Sequence, residues 1–188
     1  MDTLEKERTM LKCEEAVLVF IDVQGKLHEI MCGKETLDGH LEKMVRCAHL
    51  LEVPIVATEQ IPEKLGPTSE PFKTLLEHDP MIAKSAFSCC GDPKFMEAFQ
   101  SLGKRQAILI GIETHVCVYQ TAMDLIDAGI EVFVVADAVS SRSPENKALA
   151  LQAIRDAGAQ ILPTETVLFG LLRDAADPRF KQLLKLIK

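Results

Sequence analysis

The stretch Ala107-Ile108-Leu109-Ile110-Gly111-Ile112-Glu113-Thr114-His115-Val116-Cys117-Val118-Tyr119-Gln120 decides the fold of this chain. Its opening apolar run is too short for an ordinary helix and reads as a buried strand. Gly111 interrupts the run, and the polar turn Glu113-Thr114-His115 follows. From Cys117 onward the apolar positions Val118, Ala122, Leu125 and Ile126 recur at helical spacing, with Gly129 placed as a C′ stop. Cys117 thus stands just past a strand end, at the first turn of a helix. Unpaired N–H groups and the positive end of the helix dipole favour a thiolate over a thiol at such a place. Taken alone, the residue reads as readily as a small apolar side chain packed under the helix, because free cysteines are commonly buried.

Working outward, strands and helices alternate along the chain. Apolar runs at 16–21, 54–57, 80–83, 130–136 and 159–162 read as further strands. Helical spacing marks 36–51. Asp92-Pro93 opens a helix that Gly103 ends, and Ser143-Pro144 opens one that runs to Ala157 with Gly158 as its stop. A last helix covers 181–188. The segment 61–70 holds Pro62, Gly66 and Pro67 and reads as a loop that shapes a pocket. The alternation predicts an α/β protein: a three-layer α/β/α, doubly wound, mostly parallel six-stranded sheet of Rossmann-like type. Residues 1–13 are expected to form a frayed or loosely docked tail, and residues 14–188 one domain.

Composition narrows the function. A net charge of −7 with no cluster of Lys and Arg argues against a nucleic-acid surface. No apolar run reaches 18 residues, so nothing is expected to span a bilayer. The segment 1–8 carries both signs of charge and lacks the apolar core of a secretory signal, which gives a cytoplasmic address by default. The six cysteines form no C-x-x-C pair and read as reduced thiols. Cys89 and Cys90 are adjacent, a poor geometry for a disulfide.

In such sheets ligands bind outside the carboxyl ends of the strands. Asp22, Lys84 and Cys117 stand at or just beyond three of those ends. Each alone is weak, since an Asp after a strand is often a helix cap and such a lysine is usually solvated. Together they supply a base, a cation and a nucleophile at one rim. An aspartate within reach can take the thiol proton, and a lysine nearby stabilises the thiolate. A dinucleotide-dependent oxidoreductase is disfavoured, because Asp22-Val23-Gln24-Gly25 stands where a G-x-G-x-x-G would be needed.

Three segments carry a resemblance: Val19-Phe20-Ile21-Asp22-Val23-Gln24, Lys84-Ser85-Ala86-Phe87-Ser88, and Gly111-Ile112-Glu113-Thr114-His115-Val116-Cys117-Val118, with Ala136-Asp137-Ala138 fitting as well. Over roughly residues 14–170 the chain resembles the isochorismatase-like cysteine hydrolases, which include nicotinamidases and N-carbamoylsarcosine amidohydrolase. It looks closest to the subgroup with Thr-Glu-Gln after the second strand. The resemblance implies a catalytic triad of Asp22, Lys84 and Cys117, a cis peptide between Ile112 and Glu113, and an oxyanion hole of the Glu113 and Cys117 backbone N–H groups. It further implies a thioester intermediate on the way to cleaving a C–N bond in a small amide or carbamoyl-type substrate, and a homo-oligomer. Nicotinamidases of the family bind a metal through an Asp-x-His; Thr58-Glu59-Gln60 stands there instead, so no metal and no cofactor is expected. Isochorismatase proper lacks the nucleophilic cysteine, so Cys117 argues against vinyl-ether chemistry.

Other residues are weighed beside these. Phe20, Gln24 and Phe87 are expected as substrate-pocket walls, with plain core packing as the alternative, of equal weight for Phe20. His115 is read as a loop residue or subunit contact and Asp137 as a cap on the turn that follows it. The side chain of Glu113 either enters a buried polar network or lines the pocket. The alternative function is a non-catalytic binding or redox-sensitive scaffold protein of the same fold. Selective alkylation of Cys117 near neutral pH, lost in Asp22→Asn, is the expected mark of the enzyme.

Overall fold

Six strands form one sheet: β1 (Ala16–Ile21), β2 (Ile55–Gln60), β3 (Met81–Lys84), β4 (Gln106–Ile112), β5 (Glu131–Ser140) and β6 (Gln160–Leu162). They are ordered β3-β2-β1-β4-β5-β6, and every pairing is parallel. The chain runs outward from β1 to β3, then returns to the other side of β1 for β4. The change of direction therefore falls between β1 and β4, where a doubly wound sheet opens a crevice. The structure, a computed structural model, describes residues 9–187. Residues 1–8 of the expected tail and Lys188 of the terminal helix lie outside the described residues.

Parallel strands need long crossovers, and helices supply them. They are α1 (Gly25–Glu29), α2 (Lys34–Leu51), α3 (Pro62–Leu65), α4 (Phe72–Leu75), α5 (Pro93–Ser101), α6 (Tyr119–Asp127), α7 (Pro144–Asp156), α8 (Thr164–Leu172) and α9 (Phe180–Ile187). β1 lies inside both cores. Ala16, Leu18 and Phe20 pack with Leu41 and Met44 of α2 and Leu168 of α8. Val17, Val19 and Ile21 pack with Phe95 and Phe99 of α5, Leu125 of α6 and Ile154 of α7. Each such large apolar side chain contributes about 1.5–3 kcal/mol when fully buried. No helix among the described residues is long and apolar enough to cross a membrane.

Several ends follow the sequence signals. Asp92 accepts a hydrogen bond from Lys94 N, and Ser143 from Asn146 N, each with proline at the helix start. β2 runs three residues past the expected 54–57, because pairing with β3 continues through Gln60↔Lys84. α8 was not expected, since its sequence is apolar almost all round and shows no clear stripe. Its start is satisfied by Asp137, whose Oδ1 accepts from both the backbone N (2.8 Å) and the hydroxyl (2.7 Å) of Thr164. Asp137 therefore caps α8 rather than the turn that follows it in sequence. Residues 10–12 lie against β4: Gln106 Oε1 accepts from Lys12 N, Gln106 Nε2 donates to Met10 O, and Leu11 is buried.

Gly111 is required by a close approach. Its φ is +115°, and a Cβ there would sit 2.1 Å from the carbonyl oxygen of Ile21 on the adjacent strand. That approach brings the ends of β1 and β4 together in unbroken register, while the register shift between Leu109 and Gly111 falls in the pairing of β4 with β5.

Candidate active site

Asp22, the residue after β1, takes a positive φ of 52° while its N–H donates to Thr58 O. The chain turns sharply there and the carboxylate stays over the end of the sheet. Oδ1 accepts from the Thr58 hydroxyl at 2.7 Å. Oδ2 accepts from Lys84 Nζ at 2.7 Å. Lys84 ends the edge strand β3, whose alternation places Ile82 and Lys84 inward and Met81 and Ala83 outward. Its ammonium also donates to Gln60 Oε1 (2.6 Å) and to the carbonyls of Ala86 (3.2 Å) and Phe87 (3.1 Å). Burial alone would lower its proton affinity; Asp22 outweighs this, with help from the cysteines behind it, and holds the ammonium above the ordinary lysine value.

Cys117 lies in the same apolar cluster as the inward face of β1 and is 6% exposed. The local structure differs from the expected one: Thr114–Val118 forms a single π-helical turn, and α6 begins only at Tyr119. The thiol is pushed up well above its ordinary value, first by burial and then by the negative charge of Asp22, against a smaller opposing pull from Lys84. Burial and the adjacent carboxylate thus favour the neutral thiol and work against the backbone dipoles that favour a thiolate.

The Ile112–Glu113 peptide is cis. The Glu113 carbonyl accepts from the N–H groups of Val116 and Val118, which shapes the turn that carries Cys117. The Glu113 side chain turns to Arg142, whose backbone N and Nε both donate to Glu113 Oε1 at 3.1 Å. His115 Nδ1 meets Ser141 Oγ at 2.9 Å.

The three expected pocket walls divide. Phe20 is fully buried on the opposite face of the sheet, its ring 5.5 Å from that of Phe72, and so is a core residue. Gln24 is buried too and acts as a clamp. Its Nε2 donates to the carbonyls of Gln60 and Gly66, and its Oε1 accepts from Gln60 N. Phe87, 55% exposed, remains free to face a ligand. A cavity of about 710 Å³ between α2 and α8, bounded by His40, Lys43, Asp137, Phe169 and Arg173, contains none of these residues.

Sequence reasoning did not single out Thr58, Gln60 or Cys89 as site residues. Thr58 and Gln60 alternate onto one face of β2, a signal hidden because the strand was expected to stop at Ala57. Cys89 is fully buried, with Sγ 3.7 Å from Thr58 Oγ1, and burial followed by Asp22 pushes its thiol up to about 12.

The chain is 39% identical over 177 residues to the secreted isochorismatase effector Isc1 of Phytophthora sojae, spanning 92% of this chain and 84% of that protein. It is 37% identical over 174 residues to human isochorismatase domain-containing protein 2, spanning 92% and 83%. Among solved structures, the MAR1 ribonuclease from Caenorhabditis elegans superposes with a TM-score of 0.90 at 33% identity, covering 95% of this chain and 92% of that one. The Escherichia coli YcaC gene product, described as an octameric hydrolase of unknown specificity, gives 0.92 at 25% identity, covering 97% and 91%. The isochorismatase domain model matches residues 16–166, a span that holds the whole sheet together with Asp22, Lys84 and Cys117; the chain belongs to the isochorismatase family.

Proposed function

We propose that this chain is a hydrolase in which Cys117 attacks the carbonyl carbon of a small amide or carbamoyl compound, with Asp22 carrying the proton and Lys84 as a fixed cation. The observation that supports this best is the buried 2.7 Å contact of Lys84 Nζ with Asp22 Oδ2, a charge pair that acts on the Cys117 thiol. An apolar core gains nothing by burying such a pair, whereas reactive sites need one.

The neutral thiol gives the order of events. As Sγ bonds to the carbonyl carbon, its proton passes to the Asp22 carboxylate. The carbonyl oxygen becomes an oxyanion, met in this reading by the backbone N–H groups of Glu113 and Cys117. The C–N bond then breaks, and the proton on Asp22 goes to the departing amine. Water attacks the thioester, giving its proton to Asp22, and the acid leaves with Cys117 restored as a thiol. Lys84 has three N–H bonds facing four oxygens, so it has no donor left for substrate. Its part is electrostatic: it offsets the charge of Asp22 and eases thiolate formation.

Six free cysteines fit a reducing, cytoplasmic setting. The octameric description of the YcaC relative supports self-association of this chain as well. The net charge of −7 gives no support to nucleic acid as substrate. The test is ammonia release from a panel of small amides, ureides and carbamoyl compounds. Turnover that disappears in Cys117→Ala upholds the reading. No turnover on any of them, with the alkylation of Cys117 unchanged when the charge pair is removed in Asp22→Leu/Lys84→Met, overturns it in favour of a binding or scaffold role.

A further inference from the structure

Gln60 and Lys84 are register partners on β2 and β3, so their side chains leave the sheet side by side on the face that carries Asp22. The amide uses both of its ends. Oε1 accepts from Lys84 Nζ at 2.6 Å, the shortest of the four contacts to that ammonium, while Nε2 donates to Ser85 O at 2.7 Å. The backbone of Gln60 is fixed in turn by the two-way clamp from Gln24. A buried ammonium between one carboxylate and one neutral amide leaves the Asp22–Lys84 pair with no net charge. A carboxylate in place of the amide would hold the lysine equally well and add a negative charge next to a thiol that must ionise.

We propose that Gln60 is a positioning residue for the reaction: it aims the Lys84 ammonium at Asp22 and Cys117 and, being neutral, does so without opposing the thiolate. The assignment rests on the catalytic reading above. Gln60 acts through Lys84, since its acceptor oxygen is committed to Nζ and its donor to Ser85.

The experiment follows the rate of Cys117 alkylation by iodoacetamide against pH, located by peptide mass, which needs no substrate. Wild type is compared with Gln60→Glu, Gln60→Met and Lys84→Met, and with Thr68→Val as a control. Thr68 lies on the neighbouring loop and bonds Glu59, on the other face of β2, without touching Lys84. Gln60→Glu is expected to slow alkylation about tenfold at a given pH, equivalent to moving the profile up by about one unit. Gln60→Met is expected to move it in the same direction by less, and Thr68→Val to lower the melting temperature without moving it. Profiles for Gln60→Glu and Gln60→Met that overlie wild type, or a Thr68→Val shift as large as theirs, overturn the assignment. If Gln60→Met does not fold, Gln60→Glu, of the same size, decides alone. A Lys84→Met profile that also overlies wild type points instead to failure of the catalytic reading, because the cation would then have no hold on Cys117.

Discussion

Lys84 Nζ lies 2.7 Å from Asp22 Oδ2 across the full width of β2, with the two side chains 0% and 1% exposed. Neighbouring strands stand about 4.8 Å apart, so the lysine stem and the Asp22 side chain reaching toward it together bridge roughly 10 Å between β3 and the residue after β1. A long, flexible side chain with a compact charge at its tip fits that path, and this explains a lysine at the end of an edge strand.

Removing one partner of the pair leaves a buried charge without compensation. Lys84→Met is expected to lose about 3–5 kcal/mol in urea unfolding, while the double variant Asp22→Leu/Lys84→Met recovers much of it. The loss has a defined pH dependence. Lys84 holds its proton more tightly folded than unfolded, so its contribution is complete below the ordinary value of 10.5 and fades as pH rises through the higher folded value. The stability gap between wild type and Lys84→Met is expected to stay constant from about pH 7 to 10 and to narrow above that.

Asp22 has opposite effects on the standing thiolate and on turnover. Its charge raises the Cys117 thiol, so Asp22→Asn is expected to increase the thiolate absorbance of Cys117 at a given alkaline pH. Loss of the proton carrier is expected to cut turnover by about 10²–10⁴-fold in the same variant. This replaces the expectation from sequence that Asp22→Asn abolishes alkylation. A fall in both quantities would show that Asp22 acts chiefly on the fold.

Gly111→Ala tests the approach of β1 and β4. The added carbon meets Ile21 O at 2.1 Å and the backbone keeps an unfavourable φ, so at least about 3 kcal/mol of stability is expected to be lost. Chemical denaturation reads it directly. A loss below about 1 kcal/mol would mean that the two strand ends separate easily.

Arg142→Ala removes one of two donors to the buried Glu113 carboxylate and keeps the backbone N–H. Arg142 is 57% exposed, so solvent screening reduces the expected cost to about 1 kcal/mol, seen as a small drop in melting temperature. Adding Glu113→Gln should cost little more, since the two residues share one interaction.

The sheet and most of its helices were legible because apolar runs, proline starts and glycine stops are local signals. Asp22, Lys84 and Cys117 were legible by their place at strand ends. α8 was hidden because burial on nearly all sides erases the stripe that marks a helix. Thr58 and Gln60 were hidden because a strand's last residues are fixed by its neighbour: the extension to Gln60 depends on pairing with 81–84, a separate segment that no local pattern links to it. The forces on the Cys117 thiol were only half legible for a related reason. Sequence shows the helix that follows, whereas burial and the facing carboxylate are properties of the assembled fold.

β3 has only β2 for a neighbour, joined through four residue pairs, and its outward residues already meet solvent. The strand that delivers the cation is therefore at a margin of the sheet that can be peeled away by local opening while the central strands stay paired. Amide hydrogens of 81–84 are expected to exchange faster than those of 16–21, and each such opening carries Lys84 out of reach of Asp22. The readiness of the nucleophile is thus coupled to the breathing of a sheet margin.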